Sequence, residues 1–312
     1  MRDNLKNLRI GVLSGGKSAE REISLKTGNA VFNALKGSGY DVASFDLDEN
    51  LYKNLRSIDV CFIALHGTYG EDGRIQGALD LFDIPYTGSG VSASAAAMDK
   101  TKSKALFGYY GLKTPPFVSV KKGENINIVI KRLGHLEPPY FIKPDSSGSS
   151  IGCSVVNHPE EELAGALNKA FEYDGEALIE KFINGREIQF AVAFGKPLGC
   201  VEVRPKDSFY SYDAKYTKGR TLYLLNPELK KEEYEECESA AVRAHEIIGC
   251  DGVSRTDIIL AEDGSAYVLE INTLPGLTEL SLVPMIAGSK GISFNELIEN
   301  IIEDAILKKQ KK

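Results

Sequence analysis

Paired cysteines, clustered histidines, long apolar runs and surplus positive charge are all missing from this chain, and each absence removes a class of protein. The five cysteines, Cys61, Cys153, Cys200, Cys237 and Cys250, are odd in number, scattered and without CxxC spacing. Neither a disulfide scaffold nor a cysteine-based zinc site is expected, and buried thiols in a reducing cytoplasm are. The four histidines, His66, His135, His158 and His245, form no metal-spaced pair. No apolar run approaches the ~18 residues of a membrane span, and the apolar stretch near the start is too short for a signal peptide. With 37 Lys and Arg against 44 Asp and Glu, the net charge is −7. That balance disfavours a general nucleic-acid binder, which must neutralise a run of phosphates. An anionic substrate would have to be met by individual cations. A cytoplasmic protein with no nucleic-acid and no membrane partner is expected. Internal repeats, low-complexity segments, GxGxxG and the Walker GK[ST] ending are also lacking.

What is present is an ordinary globular composition, 43% hydrophobic and 26% charged over 312 residues, enough for two or three domains. The most informative stretch is Gly252 to Gly276. Two apolar runs, Ile258–Ala261 and Ala266–Ile271, flank Asp263-Gly264, the strongest short hairpin signal. A two-residue turn would pair Glu262 with Ser265 and set Asp257 opposite Glu270 and Arg255 opposite Asn272. With period-2 alternation those four share one face. Thr256, Ile258, Leu260, Tyr267, Leu269 and Ile271 then face the core. Two opposed carboxylates destabilise a sheet unless something compensates, and a hard divalent cation would. Asp, Glu and an Asn carbonyl suit Mg²⁺ or Mn²⁺, which complete their coordination with water and phosphate. The alternative, an exposed face with scattered charge, fits this hairpin equally well when it is considered alone.

Elsewhere, Leu8–Leu13, a Ser-Gly-Gly turn and a helix from about Ser18 to Leu35 open an α/β domain. Glu20 and Glu22 fall in the first turns of that helix, where a favourable dipole contact explains each without function. Val42–Leu47 and Ile58–Leu65 read as further strands. The second leads into His66, at the strand end where ligands usually sit. One helix is expected through Val91–Met98 and Lys100 to about Gly111. The strand Tyr140–Lys143, a Ser- and Gly-rich tip and the strand Ile151–Val156 suggest a flap over phosphates. Glu180-Lys181, inside the strand Ala177–Ile183, suggests either a hinge whose backbone pairs with a ligand or a solvated break in an edge strand. Ser208–Gly219 is a long aromatic loop. Lys231–Ile248 and Ser293–Leu307 read as helices, and Thr273–Leu282 as a loop.

Taken together, these pieces resemble an ATP-grasp enzyme, and specifically the D-alanine–D-alanine ligases. The matching segments are GGKSAEREIS (15–24), ALHG (64–67), EDGRIQG (71–77), PYTGSG (85–90), MDK (98–100), KPDSSGSSIG (143–152), Glu180-Lys181, AKY (214–216), RTD (255–257) and EINTLPGLTELSLVP (270–284). They occur in the family's order and span nearly the whole chain. The resemblance implies an α/β multi-domain ATP-grasp fold with an N-terminal open α/β domain. Its expected units are 1–99, a central 100–183 carrying the flap, and 184–312 carrying the metal hairpin. It implies ATP, two Mg²⁺ (or Mn²⁺), two D-alanines as substrates and a homodimer.

By position, the resemblance makes Asp257, Glu270 and Asn272 the metal ligands. Lys100, Lys143, Lys181 and Lys215 become phosphate and hinge contacts, with Ser150 in the flap beside them. Glu180, Lys181, Phe182 and Ile183 become the adenine hinge, Phe209 its packing residue and Glu187 the ribose acceptor. Glu20 would hold the first D-alanine's ammonium, and with Ser149 and Tyr216 would form a trio closing two loops. His66 would neighbour a substrate carboxylate. Arg255 and the Gly276 N–H would stabilise an oxyanion, and Ser281 and Leu282 would contact the second D-alanine's carboxylate. Two departures are visible: Phe182 stands where a Trp is common, and YLLNPE (223–228) differs from the family's usual run. A ligase with D-serine or D-lactate as second substrate is the alternative. Ser281-Leu282 and Tyr216 argue against D-lactate more firmly than against D-serine. A nucleotide-binding regulator without catalysis is a third reading, disfavoured by the intact Arg255, Asp257, Glu270, Asn272 and Ser149.

Overall fold

The computed structural model describes residues 5–134, 136–206, 217 and 219–310. Three sheets organise them. The first is parallel, in the order β2-β1-β3, from β1 (Arg9–Ser14), β2 (Asp41–Asp46) and β3 (Val60–Ile63). The helix Arg21–Gly37 follows β1 and buries Ser24, Thr27, Gly28, Val31 and Leu35, the 3–4 spacing of one helical face. That crossover, returning to a parallel strand, is the βαβ unit expected from the opening motif.

The second sheet is antiparallel, in the order β4-β7-β5-β6, from β4 (Phe117–Lys121), β5 (Tyr140–Pro144), β6 (Ser154–Val156) and β7 (Glu176–Lys181). β6 starts three residues later than the strand expected from Ile151, because Ser149 and Ser150 adopt positive φ and turn the chain first. Since β7 lies between β4 and β5, the solvated edge-strand reading of Glu180-Lys181 is wrong.

The third sheet, also antiparallel, is ordered β10-β9-β8-β11-β12, from β8 (Gly185–Ala193), β9 (Lys196–Pro205), β10 (Thr221–Leu225), β11 (Val253–Ala261) and β12 (Ala266–Asn272). The helix Lys231–Ile248 covers it, burying Cys237, Ala240, Ala241, Ala244 and Ile248, and ends at Gly249 in the left-handed region. The last helix, Phe294–Gln310, returns to the first sheet: Leu297, Ile298, Ile301 and Ile302 share a core with Ile10, Val12, Val60 and Phe62. All five cysteines are buried and free, as their scatter implied. No helix of the described residues is long and apolar enough to cross a membrane.

Two expectations about helices fail. The single helix over Val91–Gly111 is two, Val91–Met98 and Lys100–Tyr109. Asp99 is extended between them, and its carboxylate caps the second by accepting from the Lys102 N–H. The Thr273–Leu282 loop ends in an unexpected helix, Leu282–Ser289.

Candidate active site

The β11–β12 hairpin has the expected partners at its functional end and different ones at its turn. Arg255 lies opposite Asn272 and Asp257 opposite Glu270. At the other end, however, Ala261 and Ser265 close a three-residue loop. The Gly264 N–H donates to the Ala261 carbonyl, and Gly264 has φ +81°, which a residue without Cβ adopts freely. The longer loop shifts the register by one, and a bulge restores it: Ile258 pairs with Val268 but Asp257 with Glu270, leaving Leu269 unpaired. The core face of β12 is accordingly Ala266, Val268 and Ile271. Tyr267 and Leu269, expected there, are only partly buried, and Leu269 instead lines a cavity with Ile259.

Two cavities meet at this hairpin. The larger, about 550 Å³, lies between the second and third sheets, a size usual for small-molecule sites. Lys143, Ser150, Glu180, Lys181, Phe182, Ile183, Glu187 and Asp257 line it. The smaller, about 230 Å³, is lined by Glu20, His66, Ser149, Arg255, Asn272, Gly276, Ser281 and Leu282. Lys100 and Glu270 line both. Phe209, Lys215 and Tyr216 lie outside the described residues. Glu22 is exposed and lines neither cavity.

Around the larger cavity two buried carboxylates, Glu180 and Glu202, each hold two cations. The Lys143 Nζ is 3.0 Å from Glu180 Oε1. Lys104, which sequence reasoning missed, places its Nζ 2.9 Å from the same oxygen. Burial would raise the Glu180 carboxyl, but Lys104 and Lys143 hold it below its ordinary value. Burial pushes the Lys104 amine down to about 8 against the pull of Glu180. A second such group was also missed: Glu202, buried in β9, accepts from both Arg186 and Arg204, and all three line this cavity. Its carboxyl is held low because the two guanidiniums outweigh burial. The period-2 charge of Glu202 and Arg204 within an apolar strand was the available signal.

The smaller cavity is assembled from loop ends and helix starts. Glu20 occupies the N-cap position of the helix Arg21–Gly37, and its carboxylate accepts from the Ser149 hydroxyl. The serine–glycine tip thereby folds over the first sheet. Gly67, at φ +66°, brings its backbone so close that a Cβ would stand 2.7 Å from Glu20 Oε2. His66 is buried, its Nε2 3.1 Å from Thr27 Oγ1 and its Nδ1 3.4 Å from Glu71 Oε1. Ser281 is the N-cap of the unexpected helix, and its Oγ accepts from the Thr278 N–H. Ser281 and Leu282 thus present a helix N-terminus, a natural place for an anion. A Cβ at Gly276 would lie 3.2 Å from Ser281 Oγ.

At the wall between the cavities every candidate metal ligand has an internal partner. Asp257 is gripped by Arg255, with Nε–Oδ1 2.7 Å and Nη2–Oδ2 2.9 Å. Glu270 Oε2 is 3.6 Å from the Lys100 Nζ, and that Nζ also donates to the Ser147 and Asp145 carbonyls. Asn272 Oδ1 accepts from the Leu274 N–H. The two opposed acids are therefore not left repelling each other. Among the described residues no group of three or more His, Cys, Asp or Glu is placed to hold a metal. The set here is two carboxylates and an amide oxygen on neighbouring strands, all-oxygen donors that fit a hard cation keeping water and phosphate ligands.

Residues 106–303 match the D-ala D-ala ligase C-terminus family model, and residues 48–89 the N-terminus model. A D-alanine–D-alanine ligase of Geobacter sulfurreducens is 46% identical over 310 residues, covering 98% of this chain and 97% of that protein. One from Pelotomaculum thermopropionicum is 42% identical, covering 96% and 97%. The crystal structure of D-alanine–D-alanine ligase from Bacillus anthracis matches with a TM-score of 0.89 at 37% identity, covering 97% and 99%. The structure of that ligase complexed with ATP matches at 0.86 and 35%, covering the same shares. Sequence identity over nearly the full length and the same spatial arrangement agree: the chain belongs to the D-alanine–D-alanine ligase family.

Proposed function

We propose that this protein joins two D-alanines, with ATP as the energy source, to give D-alanyl-D-alanine, ADP and phosphate for peptidoglycan synthesis. The observation that carries the reading is the shared wall. A nucleotide-sized cavity and a smaller, amino-acid-sized one meet at Lys100 and Glu270, as a phosphoryl transfer between two bound substrates requires.

In this reading ATP lies in the larger cavity. Its adenine is at the Glu180–Ile183 hinge with Phe209, its ribose at Glu187, and its phosphates near Ser150, Lys100, Lys143, Lys181 and Lys215. Asp257, Glu270 and Asn272 would hold two Mg²⁺ (or Mn²⁺), which supply charge stabilisation to the transferred phosphoryl. Glu20 binds the ammonium of the first D-alanine beside His66, leaving its carboxylate free to attack the γ-phosphate. The product of that step is D-alanyl phosphate. The second D-alanine sets its carboxylate against Ser281, Leu282 and the helix N-terminus behind them, and its amine attacks the acyl carbon. Arg255 and the Gly276 N–H receive the tetrahedral oxyanion, and phosphate leaves. Acyl phosphates hydrolyse in water, so the Ser149–Glu20 contact has a chemical purpose in closing the flap, a role the family resemblance extends to Tyr216. The division into units near residues 99 and 183 belongs to the same proposal. So do the cytoplasmic setting and the homodimer.

The test is ADP release with D-alanine as the sole amino acid, followed by the mass of the product. D-alanine-dependent ADP release and a dipeptide mass are expected; no turnover with D-alanine would sink the proposal.

A further inference from the structure

We propose that Lys104 is a positioning residue for the phosphate end of the nucleotide: by sharing Glu180 with Lys143, it keeps Lys143 available to an anion in the larger cavity. The inference rests on reading that cavity as the nucleotide site.

Lys104 lines neither cavity, and its side chain has no exposure to solvent. It stands one helical turn after Lys100, on the same face of the helix Lys100–Tyr109. Its Nζ is 2.9 Å from Glu180 Oε1 and donates to Thr114 Oγ1 at 2.7 Å. The Thr114 hydroxyl in turn donates to the Val268 carbonyl, while the Val268 N–H donates to the Lys113 carbonyl. One buried amine therefore links the helix carrying Lys100, the strand carrying the hinge, and the strand carrying Glu270.

A buried ammonium is a poor device for stability alone, because an apolar side chain of similar volume is often as good or better. The charges suggest another use. Two ammoniums, Lys104 and Lys143, meet one carboxylate oxygen, Glu180 Oε1. Only one of them can be fully neutralised there. Lys143 is the member facing the cavity, so it is the ammonium that a bound anion can reach, while Lys104 stays behind it on Glu180. Without Lys104, Glu180 and Lys143 would form a closed one-to-one pair, and a phosphate would have to compete with the carboxylate for its cation.

The experiment compares ADP and adenosine binding, by calorimetry, to wild type, Lys104→Met, Lys143→Met and the double variant Lys104→Met/Lys143→Met. Adenosine uses the hinge but has no phosphate. Lys104→Met should weaken ADP by about tenfold and leave adenosine unchanged. Because Lys104 acts through Lys143, Lys104→Met should change ADP affinity by less than about twofold once Lys143 is already replaced. Should Lys104→Met not fold, Lys104→Gln, which keeps a polar group toward Glu180 and Thr114 without the charge, carries the same expectation. Unchanged ADP affinity would overturn the proposal, as would equal losses for ADP and adenosine or a full further loss of about tenfold from Lys104→Met in the Lys143→Met background. Wild type that binds neither ligand would instead overturn the nucleotide reading on which it rests.

Discussion

The two cavities that meet at Lys100 and Glu270 are built on opposite plans. Around the larger, cations are fixed by buried carboxylates within sheets: Lys143 and Lys104 on Glu180, Arg186 and Arg204 on Glu202. The smaller is a meeting of ends. Glu20 begins a helix, His66 follows a strand, Ser149 lies in the flap and Ser281 begins another helix. The first arrangement holds its charges before any ligand arrives, whereas the second depends on the flap reaching Glu20. In the proposed function a polyanion would thus be met by preorganised charge, and a small zwitterion by closure.

The largest effect that would test this contrast lies where the cavities join. Glu270→Gln keeps the shape and removes one charge common to both. Losing several kcal/mol of transition-state stabilisation should lower kcat by about 10³-fold or more. Because the Lys100 Nζ keeps its hydrogen bonds to the Asp145 and Ser147 carbonyls and its contact with Glu270, at 3.6 Å, is long for an ion pair, the nucleotide-free melting temperature should change little. A large drop in melting temperature would make Glu270 a structural residue.

Ser149→Ala should separate the two plans. It removes the hydroxyl that reaches Glu20, a charge-assisted bond worth roughly 1.5–3 kcal/mol. Measured kcat/KM for D-alanine should fall about 10- to 100-fold, while ADP affinity stays within about twofold of wild type. Equal losses at both ligands would show that the flap serves the cavities as one unit.

Glu202→Gln probes the preorganised side. Leaving Arg186 and Arg204 without their carboxylate should cost about 2 kcal/mol at neutral pH, measured by denaturant unfolding. The pH dependence has a definite sign. The folded carboxyl lies below its ordinary value of 4.5, so its stabilisation is complete above that value and is lost as pH falls through the folded one. The gap between wild type and variant should narrow on acidification below about pH 4.5. A constant gap would mean that packing, and not the ion pair, was lost.

The smallest effect is expected at the hairpin turn. Gly264 has φ +81° and nothing within 4 Å of an added Cβ, so Gly264→Ala meets conformational strain of about 1–2 kcal/mol and no clash. Melting temperature should fall slightly and both KM values should hold. A changed KM would show that turn geometry reaches Asp257 and Glu270 past the bulge.

That bulge marks a limit of what was legible in the chain. The pairing of Asp257 with Glu270 could be read from Asp263-Gly264 and the alternation around it, yet it arises through a longer turn and a compensating extra residue at Leu269. A period-2 pattern is blind to two shifts of opposite sign, and so the exposure of Tyr267 and Leu269 was misjudged. The helix Leu282–Ser289 escaped notice because its sequence, LVPMIAGS, has Pro and Gly and no polar face to mark a period. Its discovery gives Ser281 and Leu282 a physical setting, the N-terminus of a helix.

The sequence by itself determined what depends on neighbours along the chain: the strand–glycine–helix opening, the opposed acids of the hairpin, the serine–glycine tip, and the motifs whose order carried the family resemblance. Tertiary structure alone decided which charges meet. Lys104 reads as an ordinary helix lysine until folding buries it against Glu180 and Thr114. Glu20 reads as a favourable helix-start acid until Ser149, 129 residues away, reaches it. Turn chemistry and hydrophobic period act over a few residues and leave a local trace, whereas the desolvation and pairing of a charge depend on whatever the fold brings beside it.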